Sequence, residues 1–220
     1  MAIAFDAVTG GNRNPIAGNN LSFSHTCTGS DRFLLVFVAD NMSGNVTGIT
    51  YNGVTMTDIS SGYNVNGAVD LTVYGLIAPA TGANTVSINF AASSSWGAAV
   101  AHSYTGVDQS TFPTIFTNNK VTSTSITTSA TTTVDDSWLV SSARGSSSGA
   151  TSASTGATTR FSTAGFIQTY DSGGATGGAG SKSMRITGSN QVLGMQLVVL
   201  APDTGGGGGG AQNSNFLKFM

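Results

Sequence analysis

The stretch RFLLVFVA, residues 32–39, decides the fold. Its residues from Phe33 to Ala39 are all apolar, whereas a strand with one face in water alternates apolar and polar residues. The run is far shorter than the roughly 20 residues that a membrane-spanning helix needs. It therefore predicts a central β-strand that is covered on both faces, as occurs in the middle of a sandwich.

A tight hairpin is predicted directly downstream, in GITYNGVTMTD at residues 48–58. Asn52 and Gly53 readily adopt the positive φ angles of a two-residue type I′ turn. The register that this turn sets places Tyr51 opposite Val54, Thr50 opposite Thr55 and Ile49 opposite Met56. Since this register puts the larger apolar residues on one side of the hairpin, pattern and turn agree.

The rest of the sequence predicts further short strands. Leu21, Phe23, His25 and Cys27 alternate with Ser and Thr, and similar stretches recur as far as Leu200, with Gly, Ser and Asn between them. This pattern predicts an all-β fold, a two-sheet antiparallel β-sandwich of jelly-roll type, over residues 1–203. Two smaller sandwiches that divide near Thr111 are the alternative.

Two segments lack large apolar residues. Residues 121–134 are nearly all Thr and Ser, and the β-branched Thr residues favour a polar edge strand there. Residues 146–159 consist mainly of Ser, Gly, Ala and Thr, and we predict a surface loop.

Composition excludes several classes of protein. The chain has no Glu, only 8% charged residues and a formal charge of −2, which disfavours a helical bundle and a nucleic-acid-binding surface. We therefore expect no nucleic-acid partner and no membrane span. Cys27 is the only cysteine, so an intrachain disulfide and a cysteine-based zinc site are both excluded.

Motifs for catalysis are weak, and we predict no enzymatic activity, no cofactor and no metal site. Calcium held by loop Asp side chains and carbonyl groups is the alternative that stays open, although no DxDxD spacing marks it. Ser147 lies in GSSSG, which matches the GxSxG motif of esterases but lacks the strand before it and the helix after it. His25 and His102 fall on the apolar sides of their strands, which predicts buried histidines with hydrogen-bond partners. Catalysis would require an Asp to meet one of them across the sandwich.

Three aromatic residues fall in or beside turn-rich segments: Tyr63, Trp96 and Tyr170. Aromatic rings are common platforms for sugars, so these side chains are candidate glycan contacts. The alternative, which we favour, is that they close the ends of the sandwich.

The C-terminus carries the strongest functional signal. Residues 204–210 form a Gly-rich linker with a hexaglycine, and residues 211–220 read AQNSNFLKFM. Phe216, Leu217, Phe219 and Met220 would be unfavourable free in water. We therefore predict a flexible C-terminal tail that ends in a peptide for docking on a partner. The alternative is a frayed tail without a partner.

The segments LSFSHTCTGSDRFLLVFVAD, VTGITYNGVTMT, YGLIAPATGANTVSINF and SYTGVDQ resemble a β-sandwich module of bacteriophage virion proteins and some bacterial surface proteins. This resemblance implies a structural or adhesive module. Since the sequence shows no signal peptide, we expect assembly with other virion proteins in the host cytoplasm, and polar edge strands on a repetitive particle favour a homo-oligomer. The first hypothesis is a capsid decoration or tail-associated protein on the virion exterior. The alternative is a carbohydrate-binding adhesin that recognises a host glycan.

Overall fold

The computed structural model describes residues 1–13, 19–60, 62–65, 69–93, 96–113, 116–146, 151–163 and 166–204. Within these ranges the chain forms sixteen β-strands and no helix, and all paired strands are antiparallel. The predicted all-β, sandwich-like fold is confirmed. It has three sheets where two were expected.

The central sheet contains β1 (Ala4–Arg13), β3 (Phe33–Asp40), β6 (Thr57–Asp58), β7 (Tyr63–Asn64), β8 (Asp70–Ile77) and β10 (Gly97–Thr105). Their order is β1-β10-β3-β8-β6, with β7 also paired to β8. Every residue of β3 is buried, as its two apolar faces predicted. A strand of this kind needs cover on both sides, and the other two sheets provide that cover.

The outer sheet contains β2 (Asn20–Cys27), β4 (Val46–Tyr51), β5 (Val54–Thr55) and β9 (Gly82–Phe90), in the order β2-β9-β4-β5. The predicted hairpin joins β4 to β5, with φ angles of 51° at Asn52 and 77° at Gly53. Tyr51 pairs with Val54, and the Met56 N–H donates to the Ile49 carbonyl at 2.9 Å. The register is therefore confirmed, although Val54 is exposed at the tip.

The C-terminal sheet contains β11 (Phe116–Thr132), β12 (Trp138–Gly145), β13 (Thr151–Ala153), β14 (Thr158–Thr163), β15 (Ile167–Asp171) and β16 (Gly180–Leu200). Their order is β11-β16-β12-β15-β14, with β13 paired to β16. The polar segment 121–134 thus contributes most of an edge strand, as predicted. The predicted loop at 146–159 is wrong in part, because β13 and the start of β14 fall within it.

Strand β11 folds back on itself. Its pairing with β16 shifts between Ser123 and Ser125. Asn119 Nδ2 donates to the Thr127 carbonyl at 2.8 Å, and those residues would lie about 26 Å apart on a straight strand. Thr117 Oγ1 donates to the Ser129 carbonyl at 3.2 Å in the same way. These bonds occupy main-chain acceptors that an edge strand otherwise leaves open to a further strand.

Three apolar cores hold the sheets together. The first core lies between the outer and central sheets and includes Val36 and Tyr51. The second core lies between the central and C-terminal sheets and includes Phe37 and Val198. The third core lies where the C-terminal sheet folds over itself and includes Ile186. Successive residues of β3 and of the last four positions of β16 point into different cores, which explains why residues 33–39 and 197–200 are apolar at every position.

Candidate functional site

The side chains predicted to dock on a partner, Phe216, Leu217, Phe219 and Met220, lie outside the described residues, and so does Ser147. The last described residue is Thr204. The surroundings of Thr204 are thus the part of this candidate site that the structure describes.

Thr204 lines an open cavity of about 920 Å³. Apolar parts of its wall come from Ile3, Val134, Trp138 and Pro202, and its carboxylates come from Asp135, Asp136 and Asp203. A concave surface that combines apolar side chains with a few charged groups can accept apolar side chains together with a cation. The tail sequence FLKFM contains both kinds of group.

Backbone contacts fix the walls of this cavity. Pro202 forms a bridge with Val107, and the Asp203 N–H donates to the Gly106 carbonyl at 2.8 Å. Gly106 has φ 67°, and a Cβ there would lie 2.1 Å from the Ala2 carbonyl oxygen, so only glycine permits the close approach. Asp135, another residue that lines the cavity, accepts the Ala179 N–H through Oδ1 at 2.7 Å.

A second cavity of about 270 Å³ adjoins the first, because both are lined by Thr133 and Val134. Its wall includes Val107, Phe112 and Pro113. Apolar surface therefore continues on both sides of Val134. The sequence gives no periodic signal for this groove, since its residues come from segments that are distant along the chain.

The three candidate glycan contacts have different environments. Tyr63 is partly buried against the second core. Trp96 is also partly buried, with the Arg144 guanidinium 3.9 Å from its ring centroid and the Phe166 ring edge-on at 5.7 Å. Tyr170 is fully buried and its hydroxyl lies 2.6 Å from Thr151 Oγ1, so it offers no ring face to a sugar.

His25 is buried in a polar network on the side of β10 that faces the outer sheet. Its Nε2 lies 3.1 Å from Ser103 Oγ, and its Nδ1 lies 3.1 Å from Thr9 Oγ1. Ser103 Oγ donates in turn to Asp6 Oδ2 at 2.6 Å. Burial lowers the pKa of His25 to about 4, although the negative charge of Asp6 opposes this shift. The imidazole is therefore neutral at pH 7.

His102 is buried in a second network, on the opposite face of β10. Its Nε2 lies 2.6 Å from Thr169 Oγ1, and its Nδ1 lies 3.2 Å from the Tyr104 hydroxyl. The Tyr104 hydroxyl donates to Asp171 Oδ2 at 3.0 Å, and Arg160 Nε pairs with the same oxygen at 2.6 Å. Burial lowers the pKa of His102 to about 3.

Each histidine thus reaches an aspartate through one hydroxyl group. In a serine-hydrolase triad the imidazole stands between the serine and the carboxylate, whereas here Ser103 stands between His25 and Asp6. Ser103 and His102 are both 0% exposed. These contacts satisfy buried polar groups, and they do not present a nucleophile to a substrate.

The described residues contain no group of three or more His, Cys, Asp or Glu side chains that could hold a metal ion. Cys27 is buried, and burial raises the pKa of its thiol. No helix within the same ranges is long and apolar enough to cross a membrane.

No protein-family model matches the chain, and no curated protein matches it at a significant level.

Proposed function

We propose that this chain is a non-enzymatic structural protein on the exterior of a bacteriophage particle, as a capsid decoration or tail-associated protein. In this proposal residues 211–220 anchor it to another virion protein. The observation that carries the proposal is the sequence after Thr204, where six glycines separate an all-β body from the apolar sequence FLKFM.

Burial of the docking side chains sets an upper limit on the strength of such an anchor. Fully burying a large apolar side chain contributes about 1.5–3 kcal/mol, so the four predicted docking residues together could contribute about 6–12 kcal/mol. Association costs at least about 4 kcal/mol in lost translational and rotational freedom. The anchor alone would therefore be weak to moderate, and repeated copies on one particle would raise the overall affinity.

The linker suits an anchor that tolerates different orientations of the body. Gly-rich chains behave as random coils, and six residues have a root-mean-square span of about 13 Å. Such a span lets a rigid body sit beside its anchoring point without a fixed angle. The apolar groove around Val134 lies next to Thr204, so the same partner could also contact the body there.

The body itself supports a structural role. Both histidines are buried and make hydrogen bonds inside the protein, and Ser103 is buried beside one of them. In a body of this kind, the buried histidines form hydrogen bonds that help to hold the sheets together. This arrangement favours a stable scaffold over a catalyst.

Cosedimentation with purified particles tests the anchor. The full chain should bind particles from which it was stripped, and a chain truncated after Thr204 should not. The double variant Phe216→Ser/Phe219→Ser should lose binding, whereas Asn213→Ala/Asn215→Ala, in the same segment, should retain it. Undiminished binding of the truncated chain would overturn the proposal.

A carbohydrate-binding adhesin is the second candidate, favoured by the partial exposure of Trp96 and Tyr63. It predicts that binding to a glycan array survives truncation after Thr204 and falls with Trp96→Ala or Tyr63→Ala. The anchor hypothesis predicts instead that binding to particles is lost on truncation after Thr204.

A further inference from the structure

Two carboxylates face each other at the end of the central sheet. Asp40 is the last residue of β3 and is the register partner of Asp70, the first residue of β8. Directly opposed residues on antiparallel strands have Cβ atoms about 5 Å apart and point to the same face. Asp40 is 1% exposed and Asp70 is 4% exposed, so both acids are held out of water.

The loop that follows β3 closes over this pair. The Met42 N–H donates to Asp40 Oδ1 and the Gly44 N–H donates to Asp70 Oδ2, each at 2.9 Å. Asn45 Nδ2 donates to Asp40 Oδ2 at 2.7 Å. Three donors from one short loop thus converge on the two carboxylates.

One oxygen of the pair has no partner. Asp70 Oδ1 is buried and makes no hydrogen bond to any described residue. Burial raises the pKa of Asp70, although the bond from Gly44 opposes that shift. Lys120 donates to the carbonyl of Asn64, which is the register partner of Asp70 on β7. A buried acceptor of this kind calls for a ligand that supplies positive charge.

We propose that Asp40 and Asp70 bind a hard divalent cation, Ca²⁺, through Asp70 Oδ1 and a carboxylate oxygen of Asp40. Calcium is bound by oxygen atoms only, in flexible geometry, and water or main-chain carbonyls commonly complete its shell. The cation would tie the start of β8 to the end of β3 and hold the loop that follows. With only two carboxylates, the site belongs in the weak range, with Kd of about 0.1–1 mM.

The backbone at Gly62 lies close to the Asp70 carboxylate, which favours an ordered binding site. Gly62 has φ 75°, and a Cβ there would lie 3.0 Å from Asp70 Oδ2. A side chain at this position would crowd the carboxylate. Glycine therefore leaves room beside the acid while the backbone stays close.

Thermal unfolding in CaCl₂ and in EGTA tests this site on the full chain. At about ten times its Kd, a bound cation stabilises by about RT ln 11, which we expect to raise the wild-type Tm by about 2–6 °C. Asp70→Asn should abolish the response, and it should unfold in EGTA at or above the wild-type Tm because it removes an uncompensated charge. Asp31→Asn, a control at a position of positive φ outside both this pair and the cavity beside Thr204, should keep the full response.

Isothermal titration of the wild-type protein with CaCl₂ gives a readout that needs no variant. One site per chain with sub-millimolar to millimolar Kd supports the proposal. It is overturned if the titration shows no binding and calcium leaves the wild-type Tm unchanged, or if Asp70→Asn retains the wild-type calcium response. Loss of stability by Asp70→Asn in both buffers, without calcium binding, would make Asp70 a purely structural acceptor.

Discussion

His102 Nε2 lies 2.6 Å from Thr169 Oγ1, and this contact joins the central sheet to the C-terminal sheet. His102 belongs to β10 and Thr169 to β15, and neither side chain is exposed. The second core therefore contains a polar network as well as apolar contacts. Such a network penalises any packing of the two sheets that leaves its members without partners.

Removing the Tyr104 hydroxyl should destabilise the protein. Tyr104→Phe deletes the donor to Asp171 and the contact with His102 while preserving the ring. We expect a loss of about 1–3 kcal/mol in the free energy of unfolding, measured by urea denaturation. Tyr63→Phe, at a partly buried position, should change it by less than about 0.5 kcal/mol. Equal effects of the two variants would show that the network contributes no stability.

Stability should fall as the pH is lowered from about 6.5 toward 4. Burial holds the pKa of His25 to about 4 and that of His102 to about 3, below the ordinary 6.5, so the unfolded chain binds protons that the folded chain does not. At pH 7.5 and above, both histidines are almost entirely neutral in the folded and the unfolded chain, so these groups cause little further change. Each pKa unit is worth about 1.4 kcal/mol, so urea denaturation at pH 7.5 and 5.0 should reveal a clear difference.

A histidine variant isolates this contribution. His102→Gln should reduce the difference in stability between pH 7.5 and 5.0, whatever its effect at pH 7.5. Lys182→Gln on β16 serves as a control and should leave the difference unchanged. An unchanged difference in His102→Gln would mean that His102 titrates normally in the folded protein.

Gly10 should be intolerant of a side chain. A Cβ at Gly10 would lie 2.0 Å from Phe161 Cζ, so the ring that packs against β1 would have to move. We expect Gly10→Ala to cost about 1–3 kcal/mol in thermal or urea unfolding. Gly48→Ala, where no atom lies within 4 Å of the added Cβ, should be neutral or slightly stabilising.

A second variant checks the cause of that loss. Phe161→Leu in the Gly10→Ala background should recover part of the stability, because the smaller side chain makes room. If Gly10→Ala unfolds like the wild type, β1 and β14 do not pack as closely as this contact requires.

Local sequence signals predicted much of the fold. The two apolar faces of β3 predicted its central place, Asn52 and Gly53 predicted the hairpin, and Thr-rich β11 predicted an edge strand. Strands β13 and β14 were missed because they lie in Ser-, Gly- and Thr-rich sequence without clear alternation. They form because β13 pairs with β16 and β14 pairs with β15. Such pairing depends on the tertiary structure and not on the local sequence.

The polar networks could not be predicted from spacing. Asp6, His25 and Ser103 are far apart in sequence and meet only through the pairing of β1 with β10 and the packing of the outer sheet. The same holds for Asp40 and Asp70, whose opposition depends on the register between β3 and β8. Burial of the histidines was predictable because both fall on the apolar sides of their strands. Their hydrogen-bond partners were not predictable.

Photo-crosslinking from the tail in intact particles tests the central claim most directly. A photoreactive phenylalanine analogue at position 219 should crosslink to a different virion protein, while the same analogue at exposed position 54, on the hairpin tip, should not. Crosslinks from position 219 that stay within the chain, or none at all in particles that carry the protein, would contradict anchoring by the C-terminal segment.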